Sequence, residues 1–431
     1  MNITERDQQF IWHPFTPQKN MQPPLAIVKG SASLLIDENG RQYIDAISSW
    51  WVTLHGHAHP YIAEKIYQQA VQLEQVIFAG FTHQPAVDLA EKLLSILPGN
   101  FARIFYSDNG STSTEVALKM AIQYWWNLED PAKHPIPGEP ASRRKKILAF
   151  KDSYHGDTFG AMSVSDRSVF TLAFHDLLFE VIFIDTPSAE NLDDTRQIIL
   201  ENSSQIAAFI YEPLVQGAGG MKMYEPVYMD ALIGFVKQQH ILCIADEVMT
   251  GFGRTGKLFA SAYMDHKPDI ICLSKGLTGG TMALGVTACT EKIYDAFVND
   301  DKRKTFFHGH SFTANPLACS AALASMDLLL TQDCTDRIFK ISGVMNRFKK
   351  ILEQKNNLRN IRNLGTILAF EVNTGKDEYL NEISTELTRK SLDRGVYMRP
   401  LGNTVYLMPP YCITDAELER VFEVLLEITE T

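Results

Sequence analysis

From about residue 60 the chain alternates short apolar runs with longer amphipathic stretches. Runs bounded by turn residues read as buried strands, and apolar positions recurring every three to four residues read as helices. On that basis strands are predicted at Phe101 to Tyr106, Ile147 to Phe150, Val181 to Ile184, Ala207 to Tyr211, Ile241 to Ala245, Ile270 to Leu273 and Gly285 to Thr290. Helices are predicted from Ala86 to Leu97, stopped by Pro98-Gly99, and from Ser113 to Trp126. The stretch from Asn127 to Lys146 carries four prolines and many charges, the pattern of a surface loop. Strands alternating with helices predict an α/β domain with a mostly parallel sheet, which binds ligands at the carboxyl ends of its strands.

The rhythm changes near Cys319. Helical patterns over Leu317 to Leu330 and Met345 to Leu352 precede strand-like Thr366 to Val372, a helix around Leu380 to Asp393, strands near Val396 to Arg399 and Val405 to Met408, and a terminal helix. This predicts a smaller α+β lobe. Short strand patterns at Ala26 to Val28 and Leu34 to Ile36 predict that the N-terminal residues pack on that lobe. The expected division is an N-terminal segment 1–59, a large domain 60–318 and a small domain 319–431.

Composition narrows the field. Hydrophobic residues make up 45% and charged residues 21% of 431 residues, enough for a large core in an ordinary globular protein. A net charge of -11 argues against a nucleic-acid partner but leaves local anion sites open, because helix N-termini bind phosphate without global positive charge. No apolar stretch is long enough to span a bilayer, no signal-peptide pattern follows Met1, and six cysteines are scattered without pairing or metal spacing. The expectation is buried free thiols, no metal, no membrane and a cytoplasmic location.

The candidate chemistry lies at strand ends. Asp246-Glu247 ends the run Ile241 to Ala245, and Lys275 follows Ile270 to Leu273. A buried charged pair needs partners. A desolvated lysine is a nucleophile suited to forming a Schiff base with an aldehyde, although most lysines are simply solvated. Pyridoxal phosphate needs both such an amine and a carboxylate for its ring nitrogen. Ser107 to Thr112 joins a strand to a helix, and Gly110, Ser111 and Thr112 form either a phosphate cup or an ordinary helix cap. Tyr154 follows another strand and can stack on a planar ring or fill the core, with His155 and Asp157 orienting it or capping the next helix. Glu212-Pro213 and Gln216 to Gly220 follow Tyr211, as a ligand approach or a flexible turn. His55, His57 and His59 lack the companions of a metal site.

Taken together these motifs resemble the class III (omega) aminotransferases, fold-type I pyridoxal phosphate enzymes. The resemblance rests on Ile244 to Val248 followed by Thr250 to Gly256, and on Ser274-Lys275-Gly276 with Gly279-Gly280, and it spans essentially the whole chain. Trp12 to Thr16, Ser48 to Trp51, Tyr154 to Ser163, Arg399-Pro400 and Leu407 to Tyr411 resemble the biotin-pathway branch of that family. Its members aminate 8-amino-7-oxononanoate, in most cases from S-adenosylmethionine and in some from lysine.

The resemblance implies a seven-stranded, mostly parallel large sheet and a homodimer with active sites at the interface. It implies that Lys275 holds pyridoxal 5'-phosphate, Asp246 pairs with the ring nitrogen, Tyr154 flanks the ring and Gly110, Ser111 and Thr112 cradle the phosphate. Ser311 reaches the partner's phosphate; Trp51, Tyr154, Phe15 and Gly309 serve the substrate side; Arg399 holds a substrate carboxylate, and Arg254 is a second polar contact. Phe15 stands where the family usually has tyrosine, and Gly309-His310-Ser311 where it often has Gly-Pro-Thr. The first change removes a hydroxyl from the substrate side, leaving a sulfonium donor to rest on Trp50, Trp51 or Phe15 by cation–π attraction. Other omega-amino substrates, an aminomutase reaction and a non-enzymatic binding protein are the alternatives.

Overall fold

Seven short strands build the central sheet of this computed structural model, which describes residues 1–19, 21–128, 144–373 and 383–429. Three strands come first in the chain: β1 (Ile27–Ser31), β2 (Leu34–Asp37) and β3 (Gln42–Asp45). The central sheet uses β4 (Phe101–Ser107), β5 (Lys146–Phe150), β6 (Val181–Ile184) and β7 (Ile206–Tyr211). A small hairpin, β8 (Val215–Gln216) and β9 (Lys222–Met223), intervenes before β10 (Leu242–Asp246), β11 (Ile270–Leu273) and β12 (Gly285–Thr290). The order across the sheet is β4-β12-β11-β10-β7-β5-β6. The pairs among β11, β10, β7, β5 and β6 are parallel, and β12 runs antiparallel to both neighbours.

Every residue of β7, β10 and β11 is buried. That is why these strands read as continuous apolar runs: a parallel strand covered on both faces has no solvent side to make polar. Among the described residues, Gly110–Leu128 packs on the strands of this sheet as one long helix. It starts three residues earlier than its apolar periodicity predicts, so Gly110, Ser111 and Thr112 form its first turn. The predicted loop from Asn127 to Lys146 lies mostly outside the described residues, as does the beginning of the helix expected at Leu380.

The C-terminal lobe contains β13 (Leu358–Leu364), β14 (Ile367–Val372), β15 (Val396–Tyr397) and β16 (Thr404–Leu407), with β13-β14-β16 forming a three-stranded antiparallel sheet. Its long helix spans Gln332–Leu352, well beyond the expected Met345 start. Strand β13, Leu-Arg-Asn-Ile-Arg-Asn-Leu, has no counterpart in the sequence prediction. It is an edge strand whose polar positions remain partly solvated, so its pattern is weak. The N-terminal strands join this lobe through the sheet β1-β2-β3-β15, in which Ile44 pairs with Val396.

Candidate active site

Strands β10 and β11 are adjacent and parallel, with Asp246 opposite Cys272. Their carboxyl ends therefore open on one rim, and Asp246 and Lys275 line the same cavity of about 450 Å³. Strand alternation separates Asp246 from its neighbour. Asp246 faces this cavity, whereas Glu247 turns to another environment and accepts from Thr250 Oγ1 at 2.7 Å, Ala260 N at 3.0 Å and Ser261 N at 2.6 Å. Those donors satisfy a fully buried carboxylate and leave it a structural role.

Asp246 has its own partners. His155 Nδ1 donates to Oδ2 at 2.7 Å, and Val248 N donates to Oδ1 at 3.0 Å. The His155 side chain is completely buried. A second carboxylate, Glu212 just after β7, lines the cavity and accepts from Tyr154 N at 3.0 Å and Gly217 N at 2.8 Å. Burial raises the Glu212 carboxyl to about 7, with Asp246 adding to the rise and His155 opposing it.

Lys275 begins a tight turn with φ +45, a left-handed conformation that costs an L-residue bearing a Cβ about 1–2 kcal/mol. Ser274 Oγ anchors the turn by donating to Leu284 O at 2.7 Å. The Lys275 ammonium lies 4.4 Å from the centroid of the Trp51 ring. Burial lowers its pKa to about 8, the negative charges of Asp246 and Glu212 oppose that shift, and the Arg254 cation adds to it. A lysine tuned this way has an accessible neutral, nucleophilic form near neutral pH.

The wall carrying Trp51 is a strained turn. Ser48, Ser49 and Trp51 have φ values of +54, +61 and +71. Buried Asp45 holds it by accepting from Ser49 N at 2.7 Å, Ser49 Oγ at 3.0 Å and His57 Nε2 at 2.8 Å. Trp51 Nε1 donates to Tyr406 Oη at 3.0 Å.

The anion end of the cavity is the start of helix Gly110–Leu128. Gly110 and Ser111 line it, and first-turn N–H groups have no intrahelical acceptor. A Cβ at Gly110 would stand 2.8 Å from Val248 Cγ1, and one at Gly156 would stand 2.2 Å from Ser111 Oγ. Both glycines are therefore required by close approach. The donor set fits pyridoxal phosphate: an amine at Lys275, a carboxylate at Asp246, a helix N-terminus at Gly110 and Ser111, and Tyr154 and Val248 on the walls.

Two sequence-based roles need correction. Thr112 does not line the cavity: its hydroxyl donates to Asp108 Oδ1 at 2.8 Å and its backbone N–H donates to Asn109 Oδ1 at 2.9 Å, so it closes the cap. Arg254 is 1% exposed and does not line the cavity. Its guanidinium donates to the carbonyls of Pro409 at 2.9 Å, Trp51 at 3.2 Å and Thr53 at 3.3 Å and lies over the Tyr411 ring. It ties the Trp51 turn to the C-terminal lobe and has no surface left for substrate.

Phe15 and Arg399 each pack on Trp50, outside the first cavity. Phe15 packs edge-on against Trp50 at 5.4 Å and Phe170 at 5.9 Å, and Phe170 reaches Tyr154 at 6.1 Å. The Arg399 guanidinium lies 4.9 Å over the Trp50 ring. A second cavity, of about 520 Å³, includes Phe170, Asp157 and Thr404 and shares Tyr154 and Gly156 with the first. Gly309 and Ser311 are exposed and line neither cavity. Sequence reasoning left His155 and the Glu212 turn between a site role and a structural one, and did not single out Phe170. The signal for Glu212 was its place after a fully buried strand and that for His155 its place beside Tyr154; Phe170 had none that separated it from core residues.

Comparison with known proteins accounts for this arrangement. The family model for class-III aminotransferases matches residues 15–429. The adenosylmethionine-8-amino-7-oxononanoate aminotransferase of Synechococcus elongatus is 46% identical, over 97% of this chain and 98% of its own. The protein of the same name from Helicobacter pylori is 36% identical, over 100% and 98%. The crystal structure of adenosylmethionine-8-amino-7-oxononanoate aminotransferase from Methanocaldococcus jannaschii superimposes with a TM-score of 0.91 at 33% identity, covering 99% of this chain and 98% of that one. An amine transaminase from an uncultivated Pseudomonas species, solved in its PLP-bound form, gives 0.88 at 29% identity, with 98% of each chain covered. A lysine and an aspartate on neighbouring strand ends, facing a helix N-terminus across one cavity, thus sit in a match spanning nearly the whole sequence, and the chain belongs to the class-III aminotransferases, which are pyridoxal phosphate-dependent.

Proposed function

We propose that this aminotransferase converts 8-amino-7-oxononanoate to 7,8-diaminononanoate in biotin biosynthesis, with S-adenosylmethionine as amino donor. The observation that carries this reading is the aromatic mouth beyond Tyr154, where Phe15, Phe170 and Trp50 lead to the Arg399 guanidinium. An acceptor with a long apolar chain and a terminal carboxylate matches aromatic walls ending in an arginine, which binds carboxylates bidentately. The names of the relatives support the same acceptor. The aromatic faces also suit a sulfonium donor.

Pyridoxal phosphate, when bound, supplies the electron sink that makes the amine-bearing carbon acidic. Lys275 Nζ would be its attachment point, and the neutral amine is the group placed to move a proton at that carbon. Asp246, oriented by His155 and Val248 N, is the carboxylate that keeps a proton on the ring nitrogen. Gly110 and Ser111 hold the phosphate, and Tyr154 and Trp51 limit water at the reacting centre.

The same reading makes the protein a cytoplasmic homodimer in which Ser311 reaches the partner's phosphate and Gly309 serves the substrate side. Exposed Ile77, Phe81, Phe307 and Phe312 support an interface there, on segments joined by Gln75 Nε2 donating to Ser311 O at 2.5 Å. It also treats residues 1–59 as part of the C-terminal lobe 319–431, with 60–318 as the cofactor domain; the pairing of β3 with β15 supports that grouping.

The test is a donor screen with purified protein, pyridoxal phosphate and 8-amino-7-oxononanoate, reading 7,8-diaminononanoate by mass spectrometry. Product with S-adenosylmethionine is expected. Product with lysine only would change the donor, and ornithine turnover with no 7,8-diaminononanoate from any donor would overturn the acceptor.

A further inference from the structure

We propose that Glu212 is a positioning residue of this active site: one buried carboxylate fixes two walls of the cavity. The proposal rests on family membership and the cofactor, not on which acceptor the enzyme uses.

Glu212 is 5% exposed and faces the cavity from the end of β7. Each of its oxygens takes a different backbone donor, Tyr154 N on Oε1 and Gly217 N on Oε2. Tyr154 is the ring-flanking residue and also the join between the two cavities. Gly217 lies under the other wall, where an added Cβ would come within 3.0 Å of Met249 Cε and 3.2 Å of Trp51 Cζ3. Trp51 in turn meets the Lys275 amine. Glu212 thus connects the two sides through their backbone N–H groups. The residue itself is anchored by Tyr224 Oη, which donates to its carbonyl at 2.5 Å.

The chemistry of this bridge requires a carboxylate. Both donors are N–H groups, and a carboxylate accepts on both oxygens, whereas the glutamine amide would turn two donors toward one of them. Aspartate keeps the charge but is one methylene shorter and cannot reach both. The charged and titratable groups acting on Glu212 and Lys275 are Asp246, His155 and Arg254. Within that group Glu212 and Asp246 favour the protonated amine, so removing the Glu212 charge makes a proton on the lysine nitrogen easier to lose.

The experiment compares Glu212→Gln and Glu212→Asp holoenzymes with the unaltered protein, reading two quantities. One is the pH titration of the visible absorption band of bound pyridoxal phosphate; the other is kcat/KM with the best donor found for this enzyme. For Glu212→Gln the titration is expected to move down by about half a unit to one unit, and kcat/KM to fall at least about tenfold. For Glu212→Asp the titration is expected to stay in place while kcat/KM falls similarly. Lost turnover in Glu212→Gln with an unmoved titration is the mark of a merely structural role and overturns the proposal, as does kcat/KM of the unaltered enzyme in Glu212→Asp. If Glu212→Gln does not fold, the aspartate variant decides: a roughly tenfold loss in kcat/KM with the titration in place supports the bridge, and full turnover or a moved titration rejects it.

Discussion

The floor of the cavity and its aromatic mouth are built on opposite principles. On the floor, Asp246 and Glu212 are buried carboxylates whose partners are backbone N–H groups and the His155 imidazole at 2.7 to 3.0 Å. Moving any of these carboxylates would leave a buried charge unpaired, so the geometry is rigid. At the mouth, Phe15, Trp50, Phe170 and Arg399 come from distant parts of the chain and meet through ring contacts at 4.9 to 5.9 Å. Phe15 is 44% exposed, so that contact can be exchanged at little cost. On the proposed reading, the rigid region holds the reaction type and the adaptable one the choice of substrate.

The largest expected effect tests the floor. Lys275→Ala is expected to abolish turnover and the borohydride-trapped cofactor adduct, read by mass spectrometry; a trapped adduct elsewhere would move the site. In the unaltered apoenzyme, the rate of pyridoxal phosphate capture is expected to rise with pH and level off above about 8, because the neutral amine is the nucleophile. Stability carries the matching sign. Lys275 has a lowered folded-state pKa, so the unfolded chain binds more protons between about 8 and 10.5, and the Lys275 contribution favours folding as pH rises through that window.

Next in size is Asp246→Asn, expected to lower kcat by about 10²–10⁴ with folding intact, since the acid behind the ring nitrogen is lost. Two arginines then separate the regions. Arg254→Gln is expected to cost on the order of 3 kcal/mol of stability by orphaning buried carbonyls, measured by urea unfolding. Arg399→Gln is expected to leave stability unchanged and raise the KM for 8-amino-7-oxononanoate by about tenfold or more, the value of a charge-assisted pair. If Arg399→Gln unfolds the protein and Arg254→Gln changes only KM, the contrast is reversed. The smallest effect belongs to Phe15→Tyr, which restores a hydroxyl at the mouth and is expected to shift donor KM only a few-fold, worth about 1 kcal/mol.

Much of the floor was legible because buried parallel strands must be apolar until they end. Asp246 and Lys275 stand out as the first charges after such runs, and the seven strand patterns fall on the seven strands of the central sheet. The substrate contact at Arg254 was implied by the resemblance alone, and a glycine-rich loop gives no sign of which way a guanidinium turns. Thr112 was ambiguous for a related reason: a hydroxyl in the first helical turn can bind a ligand or cap its own backbone, and hydrogen bonds to Asp108 decide it.

Local pattern determined the strands and the residues at their ends, since covering both faces of a sheet leaves few chemical choices along each strand. Only the folded structure decided that Glu212 bridges Tyr154 and Gly217, that His155 supports Asp246, and that Phe15 meets Trp50 and Phe170. Apart from the local bond of Gly217 to Glu212, those contacts join residues separated by tens of positions, and long-range partners are set by how the whole chain packs, which no short stretch of sequence encodes.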